Sequence, residues 1–301
     1  MNSIPMRKQR FAEMQKNWGV EEVGTLLAAW KIPDSLIADF RRAVGVYISK
    51  ALHFDYTENE EEFINRLNSR KDDRVNITPN GAVVPKKEYT LEYNQFLKTW
   101  CDIVAELTKN NPEFLKKFRI TPNIRVKYAE DFEDNKDRPQ NTSFPHSDAW
   151  LEGPWGIICH MPMFGDTENN YLRFYKFKNE NEFDDSALGM GDNFASMQWT
   201  LKYYDPTDII PKKNHINFCD HSLLHETVRR PGAGTRVSVD TAIYIGEHDV
   251  HPDRAVEYTN IIPKIGDEIF IAVKTSEKDG FTEVKNAYTH YTDGSLKHVN
   301  L

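Results

Sequence analysis

Hydrophobic positions divide the chain into two regimes. From Pro33 to about Leu52, the apolar residues Leu36, Phe40, Val44, Tyr47 and Ile48 recur at steps of four, four, three and one. That is one face of a helix, with Asp34 and Ser35 near its start. A second helical face runs through Tyr93, Phe96, Leu97, Trp100, Val104 and Leu107 and stops before Lys109-Asn110-Asn111-Pro112. Between them, Tyr56 to Lys87 is charged and rich in turn residues, and reads as an excursion over the surface.

Past Ile120 the period changes. Short runs of β-branched and aromatic residues follow one another: Ile124 to Tyr128, Trp155 to Met163, Tyr171 to Phe177, Met197 to Tyr204, Ile216 to Cys219, Arg236 to Ile245 and Glu268 to Val273. Turn signals separate them at Gly165-Asp166, Gly189-Met190-Gly191-Asp192, Asp205-Pro206 and Pro231-Gly232-Ala233-Gly234. This many short strands at such spacing predicts a double-sheet jelly roll or barrel. The expected architecture is mainly β, with a mainly helical N-terminal layer over 1–119, a jelly-roll core over 120–275 and a C-terminal tail over 276–301. No Gly/Ser/Pro linker divides the chain, so these parts read as one domain.

Composition narrows the function. The 301 residues carry 38 Lys and Arg against 46 Asp and Glu, a formal net charge of −8. That speaks against a surface built for nucleic acid or for an anionic membrane, both of which need clustered cations. It leaves open an anionic small molecule held by one or two arginines. The three cysteines, Cys101, Cys159 and Cys219, are odd in number and far apart. They read as reduced thiols, with Cys159 and Cys219 as buried apolar residues. Met1 to Gly19 lacks the apolar core of a signal peptide, and no run is long enough to span a bilayer. The expectation is a soluble, cytoplasmic protein that binds a small molecule, with its oligomeric state unspecified.

Three local features suggest chemistry. Pro145-His146-Ser147-Asp148 places an imidazole and a carboxylate two residues apart, on one face of an extended segment. His225 follows 79 residues later, and Arg236-Val237-Ser238 follows eleven residues after that. Two imidazoles and one carboxylate on one side of a metal leave other positions open, the facial triad of non-haem iron oxygenases. A planar guanidinium beside a hydroxyl suits a carboxylate, which it can grip through two hydrogen bonds. His215 and His221 are rivals for the distal ligand, and Arg229 and Arg230 for the arginine. Arg125 and Lys127, and the tryptophans Trp150, Trp155 and Trp199, are candidates for a substrate pocket, weighed against exposed sheet and core. The N-terminal helices and the Gly165 to Asp192 segment are the expected lid of the pocket, where Asp166, Glu168, Arg173 and Lys176 would suit a polar metabolite, and the acidic run Glu58 to Glu62 reads as a solvated face or loop.

The runs Phe144 to Asp148, Phe218 to His225 and Gly234 to Asp240 together resemble the Fe(II)- and 2-oxoglutarate-dependent oxygenases. The resemblance is to the branch that holds phytanoyl-CoA hydroxylase-like and antibiotic-biosynthesis hydroxylases, and it covers roughly residues 120 to 275. It implies a double-stranded β-helix core, iron on His146, Asp148 and His225, and 2-oxoglutarate held by Arg236 and Ser238. It further implies dioxygen-driven oxidation of a C–H bond by hydroxylation, desaturation or cyclisation, with release of succinate and carbon dioxide, as in natural product biosynthesis. With a carboxylate at Asp148, no position is vacated for chloride, so halogenation is disfavoured. Two other classes stay open on the residues alone: a demethylase acting on protein or nucleic acid, and a non-catalytic β-sandwich that binds a metal or ligand. A 2-oxoglutarate-independent oxidation by the same triad is a third, in which Arg236 would bind the substrate itself.

Overall fold

Helix α2 (Asp34–Ala51) forms where its apolar face is continuous, with Phe40, Val44, Tyr47 and Ile48 fully buried. The protein is described from a computed structural model, which covers residues 2–73, 75–119, 121–129, 140–142, 144–191, 193–252 and 258–260, and the secondary structure of 269–273 and 295–299. Helix α4 (Thr90–Thr108) packs against α2, with the rings of Phe40 and Phe96 stacked at 5.7 Å and those of Tyr47 and Tyr93 tilted at 5.0 Å. Between them lies α3 (Glu60–Asn68), where the sequence pattern predicted only a surface excursion. Its N-terminus is fixed locally: the Asn59 side chain accepts from the Glu62 amide, and Glu60, Glu61 and Glu62 stand at the positive end of the helix dipole. Phe63 of α3 is buried against Phe164, so the segment belongs to the core.

Four further elements of the first 119 residues were not anticipated. Helix α1 (Ile4–Trp18) lacks a strongly apolar face, because two of its buried positions are Arg7 and Arg10. Strands β1 (Glu21–Gly24) and β2 (Leu27–Lys31) make a hairpin, and β3 (Leu115–Arg119) precedes the predicted β region. The N-terminal layer therefore contributes strands as well as helices.

The remaining strands are β4 (Asn123–Lys127), β5 (Ile157–Gly165), β6 (Asn170–Phe177), β7 (Tyr204–Pro206), β8 (His215–Asp220), β9 (His225–Arg229) and β10 (Arg236–Ile245). A short α5 (Ala149–Glu152) lies before β5, and β11 (Tyr258–Thr259) pairs with β3. All pairings among the described residues are antiparallel. The large sheet runs β1-β2-β8-β5-β10-β3-β11, with β4 alongside the first half of β10, and the small sheet runs β7-β6-β9. His146 joins the small sheet by a bridge to His225. Followed along the chain, β4, the His146 bridge, β5, β6, β7, β8, β9 and β10 alternate between the sheets as large, small, large, small, small, large, small, large. That is a jelly roll, with β4-β10-β5-β8 facing His146-β9-β6-β7. Strand β12 (Ile269–Val273) pairs with β13 (Ser295–Val299) in a separate two-stranded sheet. The rest of the expected 276–301 tail lies outside the described residues, as does Asp192 of the expected Gly189 to Asp192 turn.

One predicted strand is something else. Residues Phe194–Tyr203 form a 3-10 helix, and only Tyr204–Pro206 is extended. The buried residues Phe194, Met197 and Thr200 recur every third position, which is the period of a 3-10 helix.

Strand β10 organises the interior. Val237, Val239 and Ile243 join the apolar cluster that includes Phe40, Val44, Phe96 and Trp100. By the two-residue alternation, Arg236, Ser238 and Asp240 face the other way, into the space between the sheets. Against β5, Ser238 stands opposite Pro162 and Asp240 opposite His160; against β4, they oppose Arg125 and Asn123.

Candidate metal centre

His146 and His225 are locked together by their backbones before their side chains matter. The His146 amide donates to the His225 carbonyl at 3.0 Å, and the His225 amide returns to the His146 carbonyl at 2.8 Å. Their ring centroids lie 4.2 Å apart. Asp148, two residues on, sits at the start of α5 and turns its carboxylate to the same place. Its Oδ1 is 3.9 Å from His146 Nε2 and 3.7 Å from His225 Nε2. These spacings are too long for hydrogen bonds. They suit donors that share an ion, because two ligands each about 2.1 Å from a metal stand roughly 3–4 Å apart. The three donor atoms lie within 4.8 Å of one another, and they are the one such group among the described residues.

The surroundings prepare both imidazoles. His146 Nδ1 donates to the Phe144 carbonyl at 2.7 Å, which leaves Nε2 with its lone pair toward the cluster. Phe194 stacks on the same ring at 4.7 Å, so the 3-10 helix that replaces a predicted strand braces a cluster residue. Ser147, between His146 and Asp148, turns away and donates to the His221 carbonyl. Burial, then the neighbouring His225, holds the His146 pKa well below the ordinary imidazole range. Burial, then His221, brings His225 down to about 3. Burial also raises the Asp148 pKa. A divalent cation reverses that last effect, since its charge favours the carboxylate. Two neutral imidazoles and a carboxylate are the donor set expected for a divalent transition metal.

Arg236 is 2% exposed and its Nε and Nη1 have no partner; Ser238 Oγ, two residues on, also lacks one. Burial, then Arg229, pushes the Arg236 guanidinium down to about 9. A buried cation without a hydrogen-bonded counter-ion is costly, and a carboxylate supplies both charge and the missing acceptors. The residues present therefore fit a carboxylate-bearing ligand at this end of the interior. The rivals are engaged elsewhere. Arg229 Nε donates to the Tyr128 carbonyl, and Arg230 lies over the Tyr171 ring. His215 faces the Lys213 carbonyl. His221 faces the Gly153 carbonyl and packs so closely on Gly156 that a Cβ there would meet its ring at 2.2 Å.

A cleft of about 120 Å³ opens beside Asp148, with Thr78, Asn80, Asn123, Arg125, Phe194 and Asp240 in its wall. Arg125 is in the cleft but is already bound, with Nε 2.7 Å from Asp240 Oδ1 and Nη2 3.3 Å from Oδ2. Burial disfavours the Asp240 carboxylate, but Arg125 and Asn123 outweigh that and keep its pKa low. The three tryptophans weighed as pocket walls do not line this cleft. Trp150 is core, its Nε1 donating to the Ala187 carbonyl and its ring edge-on to Phe194. Trp155 is stacked between His248 and Arg7. Trp199 is 45% exposed, outside the cleft wall.

Sequence reasoning missed Asp240, Asn80, Phe194 and His160. Asp240 was within reach, since it continues the alternation of Arg236 and Ser238. His160 was signalled by being polar inside an apolar run. Asn80 gave no local signal, because it lies in the segment read as a surface excursion. No described helix is long and apolar enough to cross a membrane.

No family model matches the sequence, and no curated protein matches it. Among solved structures, the chain is similar to the non-haem α-ketoglutarate-dependent epimerase SnoN of nogalamycin biosynthesis, with 10% identity, TM-score 0.41, and 80% of this chain and 83% of that one covered. It is also similar to the carbocyclase SnoK of the same biosynthesis, with 9% identity, TM-score 0.40 and coverage of 83% and 87%. A third is an N-substituted L-amino acid dioxygenase from Burkholderia ambifaria, with 10% identity, TM-score 0.39 and coverage of 82% and 90%. What the site can do is decided by its own residues.

Proposed function

We propose that the protein is an Fe(II)- and 2-oxoglutarate-dependent oxygenase that oxidises an unactivated C–H bond of a small polar metabolite, by hydroxylation, desaturation or cyclisation. The observation that carries this reading is the pairing of two incomplete sites in one interior. One is a three-donor cluster, His146, Asp148 and His225, that leaves metal positions open. The other is a buried guanidinium and hydroxyl, Arg236 and Ser238, that lack partners. An α-keto dicarboxylate completes both, with its keto acid end at the metal and its far carboxylate on Arg236.

Bound iron, with 2-oxoglutarate and dioxygen, supplies the oxidation of the C–H bond and releases succinate and carbon dioxide. The chain's residues hold the participants and exclude water. The Phe144 carbonyl and the Phe194 ring fix the His146 imidazole, so Nε2 keeps its direction. Arg236 and Ser238 fix the far carboxylate. The Arg125–Asp240 pair, with Asn80 and Asn123, gives the cleft beside Asp148 a hydrogen-bonding wall, which supports a polar substrate. The net charge of −8 favours a small molecule over nucleic acid.

The test is succinate release from 2-oxoglutarate by the purified protein with Fe(II) and ascorbate, screened against polar metabolites. Stimulated release by one class, lost in His146→Ala, is expected. A protein that binds neither a divalent metal nor 2-oxoglutarate overturns the assignment. A mass gain of about 16 in the product reports hydroxylation, and a loss of about 2 reports desaturation or ring closure, by the atoms each adds or removes.

A further inference from the structure

We propose that His160 is a third residue holding the co-substrate, donating from Nε2 to an oxygen of 2-oxoglutarate between Arg236 and the metal cluster. This rests on the 2-oxoglutarate reading above and adds a residue that the sequence motifs do not contain.

His160 is the one residue in the run Ile157 to Met163 whose side chain carries nitrogen or oxygen. It stands opposite Asp240 in the β5–β10 register, one alternation along from Ser238 and two from Arg236. It is 2% exposed, and its Nε2 has no partner. A buried imidazole nitrogen without a partner is costly, and neighbouring residues do not need it. Asp240 is already served by Arg125 Nε and Nη2 and by Asn123 Nδ2. The Asn217 side chain reaches the His160 carbonyl, not its ring. The unpartnered atoms Arg236 Nε and Nη1, Ser238 Oγ and His160 Nε2 thus come from adjacent strands of one sheet, on the face between the sheets.

Electrostatics agree with that placement. Burial, then the Arg236 charge, holds the imidazole pKa well below its ordinary value against the opposing Asp240 carboxylate, with His225 acting in the same direction as Arg236. His160 therefore feels both the guanidinium and a cluster residue, and it is neutral. 2-Oxoglutarate presents only acceptors along its length, so the ring must offer Nε2–H, which a neutral imidazole can do.

The experiment measures 2-oxoglutarate binding calorimetrically to the full-length protein loaded with Mn(II), a redox-silent stand-in. His160→Phe keeps the ring and removes the donor; His160→Gln keeps a donor. In His160→Phe the Kd for 2-oxoglutarate should rise roughly ten- to a hundredfold, as for loss of a hydrogen bond to a charged group. His160→Gln should recover most of that loss, and Mn(II) affinity, titrated separately, should change less than about twofold in both. Wild-type 2-oxoglutarate affinity in His160→Phe overturns the proposal, as does a parallel loss of Mn(II) and 2-oxoglutarate. If His160→Phe does not fold, His160→Leu is read in the same way. Failure of the wild-type protein to bind 2-oxoglutarate removes the functional reading itself, and is seen before any variant is made.

Discussion

Replacing Arg236 by methionine separates what this residue costs the fold from what it gives the site. In the ligand-free protein the guanidinium is buried, unpartnered at Nε and Nη1, and pushed down to about 9. Relative to an ordinary arginine above 12, that depression corresponds to roughly 4–5 kcal/mol of opposition to the charged form, at about 1.4 kcal/mol per pKa unit. Methionine removes the charge but fills the space less well, a loss of about 1–2 kcal/mol. Arg236→Met should therefore stabilise the ligand-free protein by about 2–4 kcal/mol. The ligand effect should reverse: wild type with Mn(II) and 2-oxoglutarate at a hundred times its Kd gains about 2.7 kcal/mol, and the variant gains nothing. Urea unfolding with and without 2-oxoglutarate, in buffer free of carboxylates and phosphate, measures both. The pH dependence adds a sign. The penalty is present in full below about pH 9 and is relieved as pH rises further, because the unfolded chain then holds the proton that the folded one has lost. The stability gap between variant and wild type should accordingly narrow from pH 9 to 11. A ligand-free variant less stable than wild type that still responds to 2-oxoglutarate would refute the reasoning.

Other residues give narrower tests. Asp220 is completely buried between Arg7, at 2.6 Å, and Arg10, at 3.5 Å, so Asp220→Asn should lose about 3–5 kcal/mol in chemical denaturation by leaving two buried cations. Burial opposes the Asp220 carboxylate, but the two arginines prevail and lower its pKa; its contribution is complete above the ordinary aspartate value and should fade in acid as pH falls through the folded one. Asp148→Ala should weaken Mn(II) binding at least tenfold, by direct titration, while leaving the far-ultraviolet spectrum unchanged, because the carboxylate makes no hydrogen bond that α5 needs. Gly156→Ala should destabilise by about 1–3 kcal/mol, since its Cβ meets the His221 ring, and the same denaturation curves report it. Trp155→Phe should leave 2-oxoglutarate affinity unchanged, because that ring lies against Arg7 and His248.

What the sequence determined by itself is whatever a single element contains. The 3.6-residue period marked α2 and α4, and short β-branched and aromatic runs between turn signals marked β5, β6, β8 and β10. Alternation put Arg236 beside Ser238, because i and i+2 of an extended chain share a face whatever surrounds them, whereas Asp148 reaches His146 from helical backbone at the start of α5, not from the extended segment expected. Helix α1 escaped because its buried face carries Arg7 and Arg10, whose partner Asp220 is more than 200 residues away. The 3-10 helix escaped because a three-residue period in a short aromatic run resembles a strand. The tertiary structure alone decided which distant segments meet. The His146–His225 bridge, the register that sets His160 opposite Asp240, and the arrival of Asn80 in the cleft are properties of strand order. Strand order is fixed by burying both sheet faces at once, so no local stretch of the chain records it.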